Sequence, residues 1–436
     1  MSGTDFLNTS NALQRFEAFR TSPHWLTGAD LLAVLLAAAL PWSTSIFLIL
    51  ALPLLAIVCG SVDVGVLRRS ISRPASMVAL AFFVLALSGV LWSEAGPRAG
   101  FHALGPLTKF LALPFLLYYF EVSKRSGWVI AAFLLSCVVL LVNSWVVLFD
   151  PGLAFKTGRC CGEDYGVPVK NYIDQSQEFA LCLVWLISIA LYCIRRNMWN
   201  EAAGLGVIAL AFAANLIFVV VSRTAIVATP FMILVLAWRH WKMRGVLYAV
   251  SLGAVAVVAI WLASPHFRDR VLSTYSQYEE YRDRSIPSSV GKRLEFWRKS
   301  LGFFLDAPLF GHGTGSTLKL FEEAAIGRSA VSAEVIANPH NQTLNVAVQW
   351  GIAGVIMLYA LWYTHLRMFW KEGLVAELGI LLVVQNVVSS LFNSHLFDFT
   401  EGWLYVLGVS VAGGILAKHK ERPGPLGDCD EGYRYE

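Results

Sequence analysis

The strongest constraint on this chain is a succession of apolar runs close to twenty residues long, the length a helix needs to cross the hydrocarbon core of a bilayer. They fall at about 25–41, 43–62, 75–93, 101–120, 127–149, 175–194, 201–221, 223–238, 246–264, 341–363, 373–392 and 401–417. Only 15% of the 436 residues are charged, against about 25% in soluble domains. A soluble globule would therefore lack the polar surface to cover itself. The expected fold is an all-α polytopic membrane protein of about twelve transmembrane helices.

The cations give these spans a direction. One set of connections and tails holds Arg15, Arg20, Arg68, Arg69, Arg73, Lys124, Arg125, Arg195, Arg196, Arg239, Lys242, Arg244, Arg367, Lys371, Lys418, Lys420 and Arg422. The alternate short connections hold Arg98, Lys156, Arg159, Lys170 and Arg223. The balance is 17 to 5, and the positive-inside rule puts the rich side in the cytoplasm. Both termini are then cytoplasmic: a segment 1–24 before the first nine spans (25–264), and a tail 418–436 that reads as disordered after the last three (341–417). Between the two groups of spans lies one large outer connection, 265–340. It carries ten cations and nine anions, and it reads as a folded subdomain with a helix near 290–304.

Several function classes drop out. A net charge of +4 without a dense basic run does not suit a nucleic-acid binder. Cys59, Cys137, Cys182 and Cys193 lie in or beside apolar runs and read as small hydrophobes, with Cys429 in the tail. Cys160 and Cys161 are adjacent in a polar loop, where a vicinal disulfide would be strained. No cysteine or histidine pair has zinc spacing, so no metal site is expected. Asp428-Cys429-Asp430 has the form of a metal motif but sits in the tail, far from every other candidate. The first apolar run does not end in a small-residue cleavage site, so no cleavable signal is expected.

The candidate chemistry gathers on the outer side. Asn338-Pro339-His340-Asn341 opens the tenth span. Asn caps helices and Pro suits the first turn, so His340 is expected in that turn, its ring kept neutral by the positive helix end. A neutral imidazole there suits general-base work; the alternative is an interfacial histidine that only ties the loop. Arg223, in Ser222-Arg223-Thr224 between two apolar runs, is costly at that depth without a partner. It is either a functional cation or a topology anchor. Arg293 and Trp297 are i, i+4 neighbours on one helix face, and a guanidinium suits phosphate; the alternative is a solvated basic face. Lys170 and Arg159 could add to an anion site, and His395 and Asp398 could line the same cavity. Gly311-His312-Gly313-Thr314-Gly315 lacks the Lys of a nucleotide-binding loop and reads as a tight turn against His340. Gly351 and Gly354 read as a close helix–helix contact.

Taken together, Asn338-Pro339-His340-Asn341 through Trp350-Gly351-Ile352-Ala353-Gly354, Ser222-Arg223-Thr224, and Arg293-x-x-x-Trp297 followed by Pro308-Leu309-Phe310-Gly311-His312-Gly313 resemble the motifs of the O-antigen ligase and polymerase superfamily. The resemblance covers roughly 150–400, in matching order and on the matching side. It implies transfer of a glycan from undecaprenyl diphosphate to an acceptor hydroxyl at the periplasmic face of the inner membrane, with no metal or nucleotide sugar. His340 would be the base. Arg223, Arg293, Lys170, Arg159, His312, Asn341 and Trp297 would serve the diphosphate and substrate. The ligase reading has lipid A–core as acceptor; it is favoured because one outer loop dominates and the chain ends in a short tail. A polymerase or a protein O-oligosaccharyltransferase is the alternative within the superfamily. A secondary transporter of an anion is the alternative outside it, but it would show repeated halves and broken helices at the midplane.

Overall fold

The computed structural model describes residues 23–155, 166–284 and 288–421. Among them there are helices and no strand. Arg159, Cys160 and Cys161 lie outside the described residues, as do Cys429 and the rest of the chain beyond Glu421.

Sixteen α-helices account for the described fold. The first group is α1 (Pro23–Ala39), α2 (Thr44–Gly60), α3 (Val64–Ile71), α4 (Pro74–Ser88), α5 (Pro97–Ala103), α6 (Lys109–Val122), α7 (Ser126–Phe149), α8 (Tyr172–Arg195), α9 (Trp199–Phe218) and α10 (Arg223–Ala263). The outer connection holds α11 (Pro265–Arg284), α12 (Ser289–Asp306) and α13 (Ser316–Ala325). The last three are α14 (Gln342–Phe369), α15 (Leu374–Ser389) and α16 (Phe399–Glu421). Each predicted apolar run lies on one or more of these helices. Seven helical stretches are long and apolar enough to cross a membrane, and an eighth is available if α2 and α3, bent by 117° to each other, count as one span. The apolar part of α1, with α4 and α15, is shorter. The protein is thus a helical polytopic membrane protein.

Two features explain the difference from the expected layout. First, α10 has 41 residues, about 61 Å at 1.5 Å per residue, twice the hydrocarbon thickness. Lys242 (φ 53°, ψ −142°) breaks it, so the predicted runs 223–238 and 246–264 lie on its two halves with almost no loop between. Second, the predicted run 101–120 is interrupted by a 3-10 turn at Gly105–Leu107 between α5 and α6.

The core centres on α6, α8, α15 and α16. Phe110, Phe120, Phe179, Leu381 and Tyr405 are fully buried among them. α16 lies directly on α6: a Cβ at Gly414 would come within 2.6 Å of the Phe120 backbone. At one end of this core the cation-rich connections meet buried acids. Arg73 pairs with Glu121 at 2.8 Å. Arg239 lies 3.5 Å from Glu377, and His240 lies 2.8 Å from the same carboxylate. Arg195 reaches the other nitrogen of the His240 ring at 2.6 Å. The candidate residues gather at the opposite end.

One irregularity there organises the rest. Gly351 (φ 59°, ψ −152°) breaks α14, so it is not a plain packing glycine on a straight helix. The segment 308–313 fills the break. Ile352 N–H donates to Pro308 O at 2.8 Å, and His312 and Gly313 N–H donate to Val348 O and Gln349 O at 2.9 Å. The Gly311–Gly315 turn therefore packs on the α14 break and on the end of α4, where Thr314 N–H donates to Gly89 O at 3.0 Å. It does not pack on His340. A Cβ at Gly351 would lie 2.5 Å from the Leu309 backbone. Gly351→Ala should lower the unfolding temperature in detergent or nanodiscs. The backbone conformation alone, in a region of positive φ and extended ψ that is essentially glycine-only, costs roughly 1–3 kcal/mol for another residue, and the clash adds to it.

Candidate active site

His340 stands just before α14, not in its first turn. The N-cap is Asn341, whose Oδ1 accepts from Leu344 N–H at 3.0 Å while its Nδ2 donates to Leu391 O at 3.0 Å. Those two bonds make Asn341 the cap of α14. Asn338 serves the preceding turn: its Oδ1 accepts His340 N–H at 2.9 Å and the Ser394 hydroxyl at 2.7 Å. The two caps hold His340 at φ +54°, a strained conformation for a side-chain-bearing residue, which residues at functional sites adopt more often than others.

The ring is oriented from behind. His340 Nδ1 lies 2.9 Å from Asn393 Oδ1, and Asn393 Nδ2 donates to Asp398 Oδ2 at 2.7 Å. The carboxylate accepts only, so the amide must present its oxygen to the ring. Nδ1 then carries the hydrogen, and Nε2 keeps its lone pair. Among the described residues no group bonds Nε2. Burial lowers the His340 pKa below its ordinary value. The Asn393 hydrogen bond opposes this, and the nearby Arg293 charge adds to it. Burial and a neighbouring guanidinium both favour the neutral ring.

The cations come from α12 and its neighbours. Ser289, Arg293 and Trp297 are four residues apart, so they form one stripe with steps of about 6 Å. At its start, Ser289 Oγ accepts from Arg223 at 3.3 Å. At its far end, Trp297 Nε1 donates to Pro339 O at 3.1 Å, next to His340. Phe296 lies against the His340 ring, centroids 6.3 Å apart. Arg223 opens α10, and its other nitrogen reaches Ser273 and Gln277 of α11, both at 3.3 Å. Arg270 is one turn before Ser273 on that helix, stacked on Tyr172 at 5.5 Å, and its charge is felt by Arg293. Arg293 thus lies between the His340 ring, which feels its charge, and a second cation, Arg270, while Arg223 holds the start of the same stripe through Ser289.

Arg293 differs from the other cations of α12. Lys292 pairs with Glu334 at 2.7 Å, Arg298 pairs with Glu295 at 2.7 Å, and Lys299 donates to Ser332 O at 2.5 Å. Among the described residues no carboxylate neutralises Arg293, although it is half-buried. Burial and the Arg270 charge pull its pKa down, yet a guanidinium remains cationic in proteins.

The structure does not bring every candidate here. His312 has both ring nitrogens engaged, with Glu94 Oε1 at 2.6 Å and Phe303 O at 2.7 Å. It ties the glycine turn to α12. Lys170 points inward, donating to Leu40 O and to Thr400 Oγ1, 3.7 Å from buried Glu178. Three residues that sequence reasoning missed do belong: Asn393, Arg270 and Lys109. Lys109 was legible as a lone cation inside an apolar run, a functional signal by default. It is buried and donates to Leu396 O at 3.0 Å and Asp398 O at 2.6 Å, steadying the turn that carries Asp398. His395, Asp398 and Glu401 place one ligand atom each within 4.8 Å of one another. Their composition fits a divalent cation, and the Lys109 amine lies beside the same turn. Lys170→Met should act on stability: a buried carboxylate left unpaired costs on the order of 3 kcal/mol, read as a lower unfolding temperature.

A comparison with curated proteins gives no match. A family comparison matches residues 208–359, with the description O-antigen ligase. The matched segment begins in α9 and ends in α14. It therefore holds Arg223, Arg270, Arg293, Trp297 and His340 together with the Gly351 break, and over this segment the chain is similar to the O-antigen ligase family.

Proposed function

We propose that the chain is an O-antigen ligase, moving a polysaccharide from undecaprenyl diphosphate to a sugar hydroxyl of lipid A–core. The supporting observation is the α12 stripe, which sets Arg293 near an imidazole whose Nε2 has no partner among the described residues, with Arg223 at the start of the stripe and Arg270 beside Arg293. His340 Nε2 takes the proton of the acceptor hydroxyl as its oxygen attacks the anomeric carbon. The bond from that carbon to the diphosphate oxygen breaks in the same displacement, with inversion. Negative charge grows on the leaving diphosphate, and Arg223, Arg293 and Arg270 stabilise it there. Asn393 and Asp398 hold the tautomer, and the charge that Asp398 presents steadies the imidazolium that forms.

The charge asymmetry of the connections favours the periplasmic face of the inner membrane for this end of the bundle. The dominance of a single large loop favours a ligase over a polymerase or a protein O-oligosaccharyltransferase. The breaks in α10 and α14 are of the kind transporters use, but the arginines and the imidazole sit at one membrane face, which favours a transferase.

In a deletion strain, complementation with His340→Ala should leave bare core on a lipopolysaccharide gel, with polymer retained on its carrier; core bearing a single repeat would identify a polymerase. With purified protein, His340→Ala should cut transfer by about 10²–10⁴, the usual share of a general base. Wild-type ladders from this variant would sink the base assignment. Arg223→Lys should cost about tenfold or more, the worth of one charge-assisted hydrogen bond.

The pH profile tests the same site. His340 must be unprotonated to act and its pKa is lowered, so activity should persist below the ordinary imidazole pKa of about 6.5 and fall only on further acidification. Arg293→Gln removes a lowering charge, so the acid limb of its residual activity should move up in pH.

A further inference from the structure

We infer that the tip 308–310, together with Leu91 and Trp92, is a re-entrant wedge seated among phospholipid acyl chains in the leaflet on the His340 side. The large connection is then not wholly extramembranous. The argument rests on depth and exposure, and it is independent of the reaction proposed above.

Two hydrogen-bonded anchors fix the depth. Pro308 O and Leu309 O accept from Ile352 and Ala353 N–H of α14 at 2.8 and 3.3 Å. These donors are ten and eleven residues beyond the start of α14 at Gln342, about 15 Å along its axis. The tip is therefore level with the apolar part of a spanning helix. The second anchor is α4. With 15 residues it is about 22 Å long, short of the hydrocarbon thickness of about 30 Å. It starts at the opposite end, beside the Arg73–Glu121 pair, so it stops within the apolar layer. The glycine turn meets it there: Thr314 N–H donates to Gly89 O at 3.0 Å, and the Thr314 hydroxyl donates to Ala86 O.

The side chains at this level are bare. Leu91 is 88% exposed, Leu309 64% and Phe310 61%. Trp92 packs edge-on against Phe310 at 6.4 Å and donates its indole N–H to Phe310 O at 3.2 Å. The patch continues onto the exposed Ile352 and Ile356 of α14, whose surroundings in a membrane are lipid. Open backbone at membrane depth is tolerated only where it is held by protein, and the carbonyls of Pro308 and Leu309 are bonded by α14 and that of Phe310 by the Trp92 indole. Trp92 suits the boundary between apolar and polar layers. Asp306, exposed on the last turn of α12, can hold its carboxylate at headgroup level. Ile326 is 80% exposed in the same connection, but it lies between Glu322, Glu323 and Arg328 and provides a control.

The full chain in nanodiscs containing a phospholipid with a photoactivatable diazirine midway along its acyl chain tests this directly. After irradiation, peptide mapping should find adducts on 308–310 and on Leu91–Trp92 at levels comparable to Ile352 and Ile356, with none around Ile326. Adducts confined to the spanning helices, with 308–310 labelled by a water-soluble diazirine instead, would overturn the inference. Labelling of the wedge by a polyprenyl phosphate diazirine but not by the phospholipid would also overturn it, since the face would then be a groove for a prenyl tail.

Discussion

A helix broken inside a membrane must recover its lost hydrogen bonds from protein, because hydrocarbon offers none. Gly351 imposes such a break, and the segment 308–313 supplies the partners. That docking does more than repair α14. It fixes the C-terminal end of α12, and His312 adds a second tie by bonding Phe303 O and Glu94. With α12 anchored at its end, its Ser289–Arg293–Trp297 stripe has a fixed register against the turn before α14. The position of Arg293 relative to His340 is thus set by a glycine some eleven residues from the imidazole in sequence. The glycines of the 311–315 turn serve the same end. Gly313 sits at φ +87°, and a Cβ there would come within 2.4 Å of the Ser93 backbone. Backbone can approach backbone only because those side chains are missing.

Much of this was legible in the sequence, for identifiable reasons. Spans declare themselves through length and apolarity, and every predicted run lies on helix. The His340 turn and the Arg293–Trp297 pair were visible because their signals are local: caps, a proline, and i, i+4 spacing. Residues whose role depends on a partner far along the chain gave no such signal. Asn393 is one amide among several near the last spans, and it matters because the fold carries it 53 residues back to His340. Arg270 was one of ten cations in the outer connection; what singles it out is its face of α11, shared with the Ser273 and Gln277 that Arg223 touches.

The misplacements follow the same logic. Lys170 looked like a cation on the outer side, which it is, but buried Glu178 turned it inward. His312 carries the right chemistry beside the right motifs, yet it spends both ring nitrogens on Glu94 and the Phe303 carbonyl, and Asn341 caps α14. The cap itself was misread by three residues. Asn338 and Asn341 both suit an N-cap, and the nearer one holds the role because its carboxamide meets Leu344 N–H. That shift moves His340 out of the helix. It exchanges the regular conformation of a first turn for a left-handed one with an exposed lone pair.

The electrostatics of the site couple its two tasks. Arg293 depresses the basicity of His340, and among the described residues no carboxylate pairs with that guanidinium, which suits it to an anion. On the proposed reaction, a bound diphosphate cancels much of that positive field. The charge that held the imidazole neutral is then screened, and the ring becomes a stronger base when a donor is in place. The leaving group needs the arginines most as its bond breaks, which is when His340 has just gained its proton. A positive imidazolium is then balanced by the anion growing beside it and by the Asp398 carboxylate behind Asn393. The geometry therefore favours proton uptake together with diphosphate departure. A single stripe on α12, held in register by a broken helix, is enough to link them.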